Sequence, residues 1–150
     1  MLIAILQALF ERDLLKLKTE IELYHDEKKL WYIEKGISNS AGNLCLHLIG
    51  NLNAFIGAEL GKTGYVRNRE LEFSLKDVPQ KELLEKIEAT AEMVKQSLAK
   101  ITEEQLQADY PLMVLKEKLS TGMFLTHLAT HLSYHLGQIN YHRRLLDAQK

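Results

Sequence analysis

Four histidines carry the chemistry most readily read from this chain. His127, His131 and His135 follow one another at intervals of four residues, and His47 stands alone in the apolar run Leu44-Cys45-Leu46-His47-Leu48-Ile49. On a helix, residues four apart lie one turn up the same face, with side-chain bases about 6 Å apart. Two imidazoles so placed can converge on one divalent cation, with bonds of roughly 2.0–2.1 Å. A third donor must come from another element. His47 is the candidate, because it occupies a position where a plain core would take leucine. The competing reading is a pair of hydrogen-bonded or half-exposed histidines with no cation between them.

The other two histidines read differently. His25 is flanked by Tyr24, Asp26 and Glu27, as at a solvated helix end, and His142 beside Arg143 and Arg144 reads as a surface residue. Cys45 lies two positions from His47, and helical positions two apart face different directions, so it reads as core packing. Tyr134 and Gln138 adjoin His135 and are candidates to hydrogen-bond the ligands from outside the metal's own shell.

Positioning such residues takes long helices. Residues 2 to 25 carry Leu6, Leu9, Phe10, Leu14, Leu17, Ile21 and Tyr24 in an amphipathic stripe. Residues 26 to 38 read as a connection whose aromatics pack onto the helices. Ser38-Asn39-Ser40 offers cap side chains for a second helix over about 39 to 60, stopped by Gly61. The stretch 61 to 78 holds Arg67-Asn68-Arg69 and is long for a plain connection. Pro79 opens a third helix with Leu83, Leu84, Ile87, Ala91, Val94 and Leu98 on its apolar side. Thr102-Glu103-Glu104-Gln105 suggests a short extra turn, Leu112 to Leu115 a short extended piece, and residues 120 to 147 a last long helix. Four long helices around one core make a single all-α domain over residues 1–150, a four-helix bundle.

Composition sets the outer bounds. With 46% apolar and 26% charged residues in a chain of 150, the sequence belongs to the globular class. A formal net charge of -1 gives no general attraction to nucleic acid or anionic membranes. The single cysteine allows no intrachain disulfide and suits a reducing compartment. The apolar start Met1-Leu2-Ile3-Ala4-Ile5-Leu6 lacks the basic residues and cleavage site of a signal peptide. The expectation is a soluble, cytoplasmic protein with no nucleic-acid or membrane partner.

Three segments add a resemblance. His131-Leu132-Ser133-Tyr134-His135-Leu136-Gly137-Gln138-Ile139 resembles the last-helix signature of the DinB-like superfamily. The run from Asn39 through His47 to Gly50-Asn51 is similar to that superfamily's second-helix motif, a histidine followed by Leu-x-Gly-Asn. Arg67-Asn68-Arg69-Glu70-Leu71-Glu72-Phe73 resembles a stretch found in one of its branches. The resemblance implies an up-down-down-up bundle, a frequent homodimer, and one divalent ion per chain, nickel or zinc, held by His47, His131 and His135. His127 precedes that signature by one turn and ranks as a supporting or pocket residue; Asn51, Tyr134 and Gln138 are candidates for the same role. Characterised members include thiol transferases using bacillithiol or mycothiol, and a mycothiol-dependent maleylpyruvate isomerase. It implies no polymerase activity.

Two reactions suit such a site: transfer of a low-molecular-weight thiol to an electrophilic small molecule, or metal-dependent hydrolysis. Hydrolysis usually needs a general base, yet the ligands' neighbours are Leu46, Leu48, Thr130, Leu132, Tyr134 and Leu136, and Glu59 lies three turns from His47. The lack of a carboxylate favours thiol transfer. Arg67 and Arg69 could hold an anionic group of the cosubstrate, or could brace the loop through Glu70 and Glu72. The third possibility is a metal-stabilised dimeric binding module without turnover.

Overall fold

A computed structural model describes residues 1–148. Every regular element among them is helical, and the sole β-type pairing is an isolated bridge between Asp109 and Ser120. The elements are α1 (Leu2–Glu22), α2 (Ala41–Leu52), α3 (Arg69–Ser74), α4 (Gln80–Ala99), α5 (Glu103–Gln107) and α6 (Thr121–Leu146). α1 packs on α4 and α6, while α2 packs on α6, α4 and α3. No helix among the described residues is long and apolar enough to cross a membrane.

The stripes explain the packing. α1 buries Leu6, Phe10, Leu14, Leu17 and Ile21, spaced by three and four residues. α4 answers with Leu83, Ile87, Val94 and Leu98, and α6 with Leu125, Leu128, Leu132 and Ile139. Each such side chain fully removed from water contributes about 1.5–3 kcal/mol before entropy is counted. The ends are set by local chemistry. Ser40 accepts from the Asn43 amide at the start of α2, and Ser120 from the Met123 amide at the start of α6. Thr102 and Gln105 form a reciprocal capping box on α5, the expected extra turn.

Several expectations change. The second helix is not regular to residue 60: after Leu52 the chain widens into a π-helical turn, Asn53–Ala58. There the Asn53 amide donates to the Ile49 carbonyl at 2.8 Å and to Thr90 at 2.9 Å, competing with the regular ladder. The long connection contains α3, capped by the Asn68 side chain. Leu112 to Leu115 form no strand; the bridge and the Tyr110 amide to Leu119 carbonyl bond (2.9 Å) close the base of an irregular loop. Of the residues in that connection expected to pack onto the helices, Leu30 and Trp31 are buried, whereas Tyr32 and Ile33 are exposed. Gly42 admits the Trp31 ring, since a Cβ there would come within 2.7 Å of it.

His142 corrects the sequence reading most plainly. It is buried, not on the surface. Its Nε2 donates to the Tyr32 carbonyl at 2.8 Å, which leaves Nδ1 to accept from the Tyr24 hydroxyl at 2.7 Å. Burial lowers the ring's pKa, so it stays neutral as this tautomer requires. The ring ties α6 to the end of α1 and to the connection after it.

Candidate metal centre

α2 and α6 lie against each other with His47 on one and His131 and His135 on the other. Each of the three offers a nitrogen, and these atoms all lie within 4.8 Å of one another. The Nε2 atoms of His47 and His131 are 3.2 Å apart. Ring centroids are separated by 5.1 Å (His47–His131), 5.3 Å (His47–His135) and 4.5 Å (His131–His135). His47 is buried, and the other two are half-buried.

The outer ring nitrogens decide which lone pairs point inward. Nδ1 of His47 donates to Glu72 Oε1 at 3.0 Å, and Nδ1 of His135 donates to Gln138 Oε1 at 2.7 Å. Both rings are therefore held with Nε2 unprotonated. Burial, ahead of every other cause, lowers the pKa of His47. Burial together with the neighbouring histidines pushes His131 down to about 4. Neutral imidazoles are the form a cation needs.

Glu72 is the functional residue the sequence reading missed. It comes from α3, which lies along α2, and it is buried. Arg67 grips it through two nitrogens, Nε to Oε2 and Nη2 to Oε1, both at 2.9 Å. Gly50 provides the room, because a Cβ there would stand 1.9 Å from Oε2. Asn43 fastens the segment by donating to the carbonyls of Glu72 (3.0 Å) and Leu75 (2.8 Å). The ligands' neighbours in sequence include no carboxylate, and the contact between His47 and Glu72 spans 25 positions. The signal that could have found it is an acidic residue within the Arg67–Phe73 stretch, paired with a glycine one turn from a core histidine.

The remaining candidates fall in different places. Arg67 is committed to Glu72 and lies over the Phe55 ring at 5.6 Å, while Arg69 lies over Phe73 at 5.4 Å. His127 is half-buried, its ring 5.9 Å from Phe124 and 6.3 Å from His131. Tyr134 is exposed, with its ring 5.3 Å from that of His135. Asn51 is buried one turn beyond His47, and its Oδ1 has no hydrogen-bond partner among the described residues. Cys45 is buried in the core and contributes no atom to the ligand cluster, and burial pushes its thiol up to about 12. A cleft of about 620 Å³ has His135, Gln138, Tyr134 and Tyr141 in one wall and residues 34–39 in the other.

This arrangement fits a divalent cation. Two inward lone pairs are fixed from behind, and a third imidazole sits close enough to share the same ion. Nδ1 of His131 is buried without a partner among the described residues. Fold and site thus define an all-helical protein with a three-histidine cluster able to hold a metal ion. The chain belongs to the family described as "Protein of unknown function (DUF1572)", whose model matches residues 6–150. Among curated proteins, no match was found.

Proposed function

We propose that the protein is a metal-dependent enzyme of the DinB-like class, an up-down-down-up four-helix bundle acting as a homodimer, that transfers a low-molecular-weight thiol to an electrophilic small molecule. The observation that carries this reading is the convergence of His47, His131 and His135 with Glu72, the only carboxylate hydrogen-bonded to a ligand among the described residues, already engaged. One nickel or zinc ion per chain, held by three neutral ligands, would supply the positive charge that stabilises a thiolate near neutral pH.

The chain's own residues do the rest. Glu72 and Gln138 hold two rings in the tautomer that binds a cation. Both Glu72 oxygens are occupied behind His47, so it is poorly placed to take a proton from water on the Nε2 side. That weighs against hydrolysis, which needs such a base. The cleft beside His135 offers Tyr134 and Tyr141 as an aromatic wall for a small electrophile. In the transfer, sulfur forms the new bond to the electrophilic carbon, the leaving group departs with its electron pair, and the thiol proton passes to solvent.

The test is metal content per chain by elemental mass spectrometry, on protein purified without nickel resin, for the wild type and His131→Ala. About one ion per chain, lost in the variant, supports the site. Thiol consumption is then followed with bacillithiol or mycothiol and a panel of electrophiles. Binding without turnover would favour the non-catalytic dimeric module, and turnover of esters or amides without thiol would favour the hydrolase.

A further inference from the structure

Two of the three candidate ligands end on a partner at their outer nitrogen, and His131 does not. Its Nδ1 is buried and has no partner among the described residues, and the same holds for Oδ1 of Asn51, a residue only 7% exposed. The register of the helices brings Asn51 to within about one turn of His131. His47 on α2 meets His131 and His135 on α6, whereas Phe55, eight positions later in the π-helical turn that continues α2, meets Phe124 at 5.3 Å, seven positions before His131. The two helices therefore run in opposite directions where they touch. Asn51 stands midway between His47 and Phe55, so it is level with the turn of α6 between Phe124 and His131.

Proton placement leaves both atoms as acceptors. The bond from His47 Nδ1 to Glu72 leaves His47 Nε2 as an acceptor. With no cation present, His131 must supply the proton for the 3.2 Å contact between the two Nε2 atoms. Its Nδ1 is then a bare lone pair, and the Asn51 oxygen is likewise an acceptor. Two acceptors make no bond.

We infer that Asn51 is the positioning residue for His131, its Oδ1 accepting the Nδ1 proton once the Nε2 lone pair is given to a cation. This rests on the metal reading above. The ring stays neutral: one proton leaves Nε2, one is taken up at Nδ1 through solvent, and both unpartnered atoms are satisfied at once. The three ligands then share one design, each with an oxygen behind it: Glu72 behind His47, Gln138 behind His135 and Asn51 behind His131.

The test uses Asn51→Leu, Asn51→Ala (the same loss without added bulk) and Asn51→Asp (an acceptor retained). Zinc affinity is measured by competition with a chromophoric chelator, and the stability of the metal-free protein by denaturant titration. Removing the oxygen should weaken zinc binding by about 10-fold to 100-fold, with Asn51→Asp restoring it. Metal-free Asn51→Leu should be at least as stable as wild type, because an unsatisfied buried acceptor has been replaced by an apolar group. Nitrogen-15 spectra of the zinc-loaded wild type should show His131 protonated at Nδ1. Zinc affinity unchanged in both Asn51→Leu and Asn51→Ala, or a zinc-loaded His131 protonated elsewhere, would overturn the inference while leaving the metal site intact. A wild type that takes up no zinc would remove the metal reading itself.

Discussion

Glu72 accepts from His47 and from two nitrogens of Arg67, and each bond depends on its negative charge. Glu72→Gln keeps the shape but halves the acceptors and leaves Arg67 without a counter-charge. Zinc affinity should fall by about 10-fold to 100-fold, and chelator competition measures it directly. The same carboxylate constrains its neighbour on α2. Gly50→Ala puts a methyl 1.9 Å from Oε2, so either α3 lifts or Glu72 leaves His47. The expected result is a loss of about 1–3 kcal/mol in denaturant titration, with weaker zinc binding beside it. Full zinc affinity in Gly50→Ala would show that Glu72 does not hold His47 in place.

Among the elements, α6 carries a glycine whose surroundings give it no packing role within the chain. Gly137 lies mid-helix, and a Cβ added there meets nothing within 4 Å. Gly137→Ala should therefore stabilise an isolated chain by about 0.5–1 kcal/mol, read from the denaturation midpoint. If a second copy covers this face in the proposed homodimer, the gain should vanish and the dimer weaken, which sedimentation would detect. How far each element was legible follows from what shaped it. Leu6 to Ile21 on α1 and Leu83 to Leu98 on α4 are spaced by local geometry alone, so periodicity found those helices. The π-helical turn depends on Asn53 reaching Thr90 on another helix, and α3 is seated by Asn43 and Gly50 from α2. Neither is visible in a window of neighbouring residues. His131 and His135 were legible through their spacing, whereas Glu72 and His142 were hidden because their partners come from distant parts of the chain.

The molecule as a whole should respond to acid in a defined direction. In the fold His131 is pushed down to about 4 from an ordinary 6.5, and burial lowers His142 as well. Between those values the unfolded chain binds more protons than the folded one, so stability rises with pH and is lost as pH falls from about 6.5 toward 4. Denaturant titrations of metal-free protein at about pH 7 and about pH 5 should show the lower midpoint at the lower pH. A midpoint unchanged between them would mean that the histidines are not shielded in the fold. Cys45 gives the whole chain a further property. It is the only sulfhydryl in the sequence, it lies in the core of α2, and its thiol is pushed up to about 12. A protein proposed to bring thiols to electrophiles thus keeps its own sulfur protonated and out of reach, immune to alkylation by its substrates while the helices stay closed. The pace at which a small alkylating reagent consumes that sulfur is then a clock for the breathing of the helix that carries His47.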